Sequence, residues 1–170
     1  MMDHLPDRLD LIAMAEAGRV LRGPIALAGL ERLMPALISQ EGELQVEMNL
    51  GRDPDGTRYL VGTIRGTVQL ECQRCLEPMV LPLDLKFRLG LVQNQEAASQ
   101  LPDRYEALLV TAEPARVADI VTDEVLLALP IVPMHDDRAE CRALMNEYQS
   151  PDGPQRENPF AVLAELKQKH

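Results

Sequence analysis

The stretch LQVEMNL at residues 44–50 places an apolar side chain at every second position. The same alternation returns at residues 59–70 and at residues 81–91. Because successive side chains of a strand point to opposite faces, each stretch predicts a strand with one buried and one solvated face. The turn sequence DPDG at residues 53–56 and the tetrapeptide CQRC at residues 72–75 separate these strands. Three long strands joined by short turns predict an antiparallel meander.

Helical patterns lie on both sides of this meander. Residues 9–17 are rich in helix formers, and residues 117–129 fit a helix that stops at Pro130. Apolar side chains at helical spacing predict another helix over residues 30–38. Residues 105–110 predict a fourth strand. We therefore expect an α+β fold, in which the meander of long strands packs its apolar face against helices.

The domain organisation follows from composition along the chain. We expect a single α+β domain over residues 1–148, a polar linker rich in proline and glycine over residues 149–157, and a short C-terminal helix over residues 158–170. Within the domain, residues 20–27 predict a short strand and residues 93–104 an exposed loop. One domain is what 170 residues comfortably support.

Composition and charge limit the class of protein. The net charge is −10, so long-range electrostatics repel this chain from phosphate backbones. The chain has no tryptophan, three tyrosines and two phenylalanines, and this low aromatic content disfavours base stacking as the main mode of nucleic-acid binding. No apolar run reaches the roughly 18 residues that a membrane span needs, and the N-terminus lacks a secretory pattern. We expect a soluble, cytoplasmic protein.

The cysteines suggest a metal site. Three cysteines are an odd number, unlike a secreted disulfide framework. Cys72 and Cys75, three positions apart in a tight turn, can hold one tetrahedral ion, and a complete zinc site needs two further ligands. His135 and Cys141 are the available partners. Three alternatives stay open: one structural zinc, plain thiols with no cofactor, or a redox pair. A strand follows the pair here, whereas a thioredoxin-type pair precedes a helix.

Four cations surround or follow the cysteine pair: Arg65, Arg74, Lys86 and Arg88. If the strands pair as a meander, these side chains can form a small basic face on an acidic body. Such a face can contact RNA phosphate locally. The alternative is a set of ordinary solvated strand residues, whose charge three nearby acids offset, namely Glu71, Glu77 and Asp84.

No enzyme motif is present. The sequence contains no G-x-S-x-G, no glycine-rich phosphate loop and no H-E-x-x-H. Asp136 and Asp137 beside His135 favour an exposed acidic loop over acid–base chemistry. We expect a protein that is not an enzyme. The alternative is a thiol-disulfide or metal-dependent enzyme that uses Cys72 and Cys75.

The order of four sequence blocks resembles a known family. The blocks are LECQRCLEP at residues 70–78, LP at residues 101–102 with YE at residues 105–106, DEVLLALPIVPMH at residues 123–135 and NPFAVLAELK at residues 158–167. Together they are similar to the bacterial YceD family, the large ribosomal RNA subunit accumulation proteins. The resemblance implies a role in accumulation of 23S ribosomal RNA and in ribosome biogenesis. Some members carry extra cysteines after the ALP block, where this chain has His135.

These observations lead to one functional hypothesis. We expect a non-enzymatic factor that binds precursor ribosomal RNA, a ribosomal protein or an RNA-processing enzyme. Residues 91–150 carry 11 acidic and 4 basic residues and are the candidate contact for a basic partner. Arg65, Arg74, Lys86 and Arg88 are the candidate contacts for phosphate.

Overall fold

A five-stranded sheet dominates the described part of the chain. The structure is a computed structural model that describes residues 5–136 and Cys141. The chain divides into two compact units, residues 1–134 and residues 135–170. The strands are β1 (Arg8–Leu9), β2 (Val20–Ala26), β3 (Glu43–Arg52), β4 (Arg58–Glu71), β5 (Pro78–Val92), β6 (Glu106–Leu109) and β7 (Ala115–Arg116). The helices are α1 (Leu11–Glu16), α2 (Gln95–Ser99) and α3 (Val117–Ala128).

The sheet has the strand order β2-β3-β4-β5-β6. Its first four strands pair antiparallel with their neighbours in sequence, which confirms the predicted meander. The predicted fourth strand forms as β6, but it pairs parallel to β5, with Leu89 opposite Glu106. A parallel neighbour needs a crossover connection. Residues 93–105 supply it, so the sheet is mixed rather than purely antiparallel.

The core lies on the apolar face of this sheet. The alternating side chains of β3 and β4 are almost fully buried, as Met48, Leu60 and Ile64 illustrate. Helix α1 packs against β3, and α3 contacts β5. Helix α3 ends at Ala128, two residues before Pro130, as predicted. The α+β architecture follows from burying one face of a sheet under helices.

The predicted helix over residues 30–38 is wrong. The chain makes two short 3₁₀ turns instead, Leu27–Gly29 and Met34–Ala36. The amide of Leu33 donates to the carbonyl of Leu30, a bond to the residue three positions back. Pro35 has no amide hydrogen, so an α-helical ladder cannot run through it. Both leucines are still completely buried, so the spacing signalled burial and not a regular helix.

One other predicted segment differs from the structure, and two others lie outside the described residues. The predicted loop over residues 93–104 contains α2, whose first turn is capped by the Asn94 side chain accepting the amide of Ala97 at 2.8 Å. The predicted linker over residues 149–157 and helix over residues 158–170 lie outside the described residues. No helix in the described ranges is both long enough and apolar enough to cross a lipid bilayer.

One close approach brings β4 and β5 together on the core face. Gly62 lies opposite Phe87, and a Cβ built on Gly62 would overlap the phenyl ring. Phe87 is 6% exposed, so the ring occupies the space that a larger residue at position 62 would need. The glycine is required by packing, as expected for glycine within a strand.

Candidate functional site

The paired-thiol turn joins the two longest strands of the sheet. Cys72 directly follows β4, and Cys75 lies three residues before β5 begins. The Cys72 amide donates to the Glu77 carbonyl at 2.9 Å, and the Leu76 amide donates back to the Cys72 carbonyl at 2.8 Å. Leu76 has a φ of 61°, in the left-handed region that non-glycine residues avoid. These bonds hold the two thiols at a fixed spacing.

The surroundings of this turn differ from those of a redox pair. Cys72 is buried and Cys75 is half-buried, and the described cysteines form no disulfide. Strand β5 follows the turn, so the N-terminus of a helix does not follow the pair in sequence as in thioredoxin-type sites. The geometry therefore suits a structural role for the pair.

The turn is tied to the segment that follows α3. The Gln73 amide donates to the Pro133 carbonyl at 2.8 Å. The Arg74 guanidinium approaches the sulfur of Met134, with Nη2 at 3.6 Å from Sδ. The other terminal nitrogen, Nη1, is buried and lacks a hydrogen-bond partner within the described part of the chain. The block LALPIVP is thereby anchored beside the cysteine pair.

The second pair of proposed ligands belongs to the unit formed by residues 135–170. The Sγ atom of Cys141 lies 3.5 Å from Nδ1 of His135. Cys141 is buried and His135 is half-buried, while Asp136 is exposed. Asp137 lies outside the described residues. Cysteine sulfur and imidazole nitrogen are both common zinc ligands, and atoms at this distance can bind the same zinc ion.

The four predicted basic residues do not lie together. Strand register places Thr63 opposite Lys86 and Val61 opposite Arg88, so Arg65, Lys86 and Arg88 share the solvated face of the sheet. Arg74 lies in the turn beyond that face. At about 3.3 Å per residue, the six positions between Arg65 and the end of β4 already span roughly 20 Å.

The charges on the solvated face are unevenly paired. Arg65 forms an ion pair with Asp84 at 3.0 Å, between two side chains that are each more than 60% exposed. Such pairs contribute little to stability because water screens them. Lys86 and Arg88 are exposed and form no ion pair within the described residues. These two cations are therefore the ones with charge available to an anionic partner.

A cavity of about 380 Å³ adjoins Lys86 and Arg88, and the sequence did not indicate it. Its wall comes from the connection before β6, including Tyr105, and from Glu124 of α3. Burial raises the pKa of Glu124, and the charges of Glu106 and Asp123 raise it further. This cavity mixes both signs of charge and therefore does not by itself favour an anion.

An ionic clamp fixes the wall of this cavity. Arg104 binds Asp53 at 2.7 Å and Asp55 at 2.6 Å, both in the turn between β3 and β4. Tyr105 stacks on Tyr59, with the rings nearly parallel and 6.1 Å apart. The hydrogen bond from Arg104 lowers the pKa of Asp53, with further help from the Thr57 amide and the Tyr105 hydroxyl. Because these partners are about fifty residues apart, no local pattern could have predicted the clamp.

Comparison with known proteins gives a consistent result. The family model for "Large ribosomal RNA subunit accumulation protein YceD" matches residues 60–167. A protein of the same name from Haemophilus influenzae (strain Rd) is 35% identical over 170 residues, which covers 97% of each chain. No solved structure matches the chain significantly.

Proposed function

Because this chain belongs to the YceD family, we propose that it supports the accumulation of large-subunit ribosomal RNA, and thus ribosome biogenesis, as a non-enzymatic binding factor. The observation that carries the proposal is the match along almost the whole of the Haemophilus influenzae relative, whose name states that role. The partner is precursor ribosomal RNA, a ribosomal protein or an RNA-processing enzyme, and the protein acts in the cytoplasm.

Charge distribution supports two kinds of contact. Residues 91–150 have a net charge of −7, which attracts a basic protein and accelerates its association. Lys86 and Arg88 offer a local contact for phosphate on an otherwise acidic chain. The basic protein is the main partner, because a net charge of −10 opposes binding to naked RNA.

The test is genetic. Deleting the gene should lower the ratio of 23S to 16S ribosomal RNA and reduce mature large subunits on a sucrose gradient, and the wild-type gene should restore both. Tagged protein should sediment with immature large-subunit particles. An unchanged ratio in the deletion strain contradicts the proposed function.

The phosphate contact has its own pair of variants. Lys86→Gln with Arg88→Gln removes the two cations on the solvated face of the sheet that form no ion pair within the described residues, and it should weaken association with particles in a salt-dependent way. Arg8→Gln with Arg19→Gln removes the same charge from two exposed cations outside β5 that also form no ion pair within the described residues, and serves as the control. Equal behaviour of the two double variants argues against a phosphate contact at Lys86 and Arg88.

We also propose that Cys72, Cys75, His135 and Cys141 hold one structural zinc ion. Each residue offers one ligand atom, which makes a Cys₃His set. Chain connectivity supports the assignment: Pro133 is hydrogen-bonded to the cysteine turn, and His135 follows it within about 7 Å of chain. Three thiolates and one Zn²⁺ leave a net negative charge, which suits the buried Nη1 of Arg74. Four protein ligands close the site, so it stabilises the turn and performs no catalysis.

Zinc content tests this assignment. Protein purified without chelator should contain about one zinc per chain, and a chelator should lower its thermal stability. His135→Asn should lose the metal, whereas Asp136→Asn, which alters the exposed neighbour, should retain it. Metal-free wild-type protein, or equal zinc content in both variants, contradicts the site.

Cys72→Ser separates this role from thiol-disulfide catalysis. If the site is structural, Cys72→Ser should lose zinc and stability, and the wild type should show no dithiol-dependent turnover. Thiol-disulfide exchange by the wild type that disappears in Cys72→Ser supports the enzyme instead.

A further inference from the structure

A groove of about 410 Å³, lined by nine apolar side chains together with Glu71 and Gln73, lies at the end of β4, in the unit formed by residues 1–134. One wall is the segment 35–38, and the other is the segment 129–133. The Ile38 amide donates to the Gln69 carbonyl at 3.0 Å, and the Gln73 amide donates to the Pro133 carbonyl at 2.8 Å. Both walls are thus fixed to the same strand end, so the groove exists before any partner arrives.

A buried leucine lies at the base of the groove, and exposed isoleucines lie at its edges. Leu70 at the base is 2% exposed, whereas Ile38 is 45% exposed and Ile131 is fully exposed. An isolated exposed isoleucine is ordinary, but two that border the same groove mark a surface whose apolar part is buried when a partner binds. Among the described residues that line the groove, Glu71 is the one with a charge.

The walls favour a helix over an extended strand. Pro35, Pro130 and Pro133 have no amide hydrogen, and the amide of Ile38 and the carbonyl of Pro133 are already bonded. An added strand needs an unbroken row of free backbone donors and acceptors, and these three prolines and two bonds interrupt that row. A helix satisfies its own backbone and presents apolar side chains from one face.

We propose that this groove binds an amphipathic helix of a basic partner protein. The apolar side chains of the helix enter between Ile38 and Ile131, and its lysine or arginine residues face Glu71. The net charge of −10 on this chain also favours a positively charged partner. The inference rests on the proposed function, to which it adds the class of the partner and the surface that receives it.

A titration with designed peptides tests the groove directly. The full-length, isotope-labelled protein is titrated with a 14-residue helical peptide of leucine and lysine, with its leucine–glutamate twin, and with an alternating valine–lysine peptide. The leucine–lysine helix should bind most tightly, and its NMR shift changes should cluster at residues 35–38, 69–73 and 129–133. Tighter binding of either other peptide, shift changes elsewhere, or no binding overturns the proposal.

A matched pair of variants locates the contact. Ile131→Gln should weaken binding of the leucine–lysine helix at least tenfold. Leu127→Gln changes another exposed apolar residue, 77% exposed on α3 and outside the groove, and should change binding less than twofold. Equal effects of the two variants overturn the assignment.

The same variants in cells separate this inference from the proposed function. Ile131→Gln should fail to restore the 23S to 16S ratio in the deletion strain, whereas Leu127→Gln should restore it. If both variants restore the ratio, the groove is wrong while the proposed function stands. If the deletion itself leaves the ratio unchanged, the proposed function is wrong, and the peptide titration still decides the groove.

Discussion

Replacing Gly62 by alanine tests the packing between β4 and β5. The added Cβ would overlap Cζ of Phe87 and lie 2.6 Å from Cε1 and 2.8 Å from Cε2, whereas carbon atoms in contact are about 3.5–4.0 Å apart. The phenyl ring must therefore retreat by roughly 1.5 Å to restore a normal contact at Cζ. Overpacking of this kind costs about 1–3 kcal/mol. Urea unfolding of the full-length protein, followed by circular dichroism, should report a loss of that size in Gly62→Ala.

A double-mutant cycle attributes this loss to the ring. In a Phe87→Leu background the smaller side chain makes room, and the cost of Gly62→Ala should fall by about 1 kcal/mol or more. Gly29→Ala is the control, because a Cβ there meets no atom within 4 Å and should change stability by less than about 0.5 kcal/mol. If Gly62→Ala costs as little as Gly29→Ala, or costs the same in both backgrounds, the packing argument is refuted.

Three further predictions follow from charge and backbone geometry. Glu124→Gln should raise the melting temperature at pH 7, because the raised pKa of Glu124 means that folding disfavours its charged form. The gain should shrink as the pH falls through the raised folded pKa toward the reference value of 4.5, and a gain that grows over this range contradicts the prediction. Asp53→Asn should lower the melting temperature at pH 7, because the lowered pKa of Asp53 stabilises the fold at pH values above the reference value of 3.8. The difference from the wild type should disappear as the pH falls through the folded pKa. Thermal scans from pH 2 to 7 measure this variant and Glu124→Gln. Leu76→Gly should raise the free energy of unfolding, measured by urea denaturation, by about 0.5–1 kcal/mol, because glycine tolerates the positive φ of this exposed position. A lower free energy of unfolding in the variant argues against that backbone conformation.

Strands with one buried face are the part of this fold that the sequence predicts well. The alternation around Met48 and Ile64 requires a period of two, so β3, β4 and β5 and their antiparallel order follow. The stripe that includes Leu30 and Leu33 misled because burial alone produces helical spacing when 3₁₀ turns fold over a core. The parallel direction of β6 depends on a crossover, and no local pattern encodes that pairing.

The candidate sites divide along the same lines. Residue type and spacing single out Cys72 and Cys75, and strand parity puts Lys86 and Arg88 on one face. Arg74 belongs to a turn, where the alternation of a strand no longer predicts on which face a side chain lies. The groove beside Ile131 was invisible because its walls are about ninety residues apart in the chain and meet only through the end of β4.

The distance along the chain between Cys75 and His135 has a consequence for synthesis. Sixty residues separate these positions, and a ribosome adds about 5–20 residues per second, so the two thiols of the turn emerge roughly 3–12 s before the imidazole. The hairpin that carries them can form during that interval, since all its pairing partners precede residue 92. Nascent chains thus present two thiols to the cellular metal and oxidant pools for several seconds, and in the proposed zinc site the later arrival of residues 135 and 141 would end that exposure.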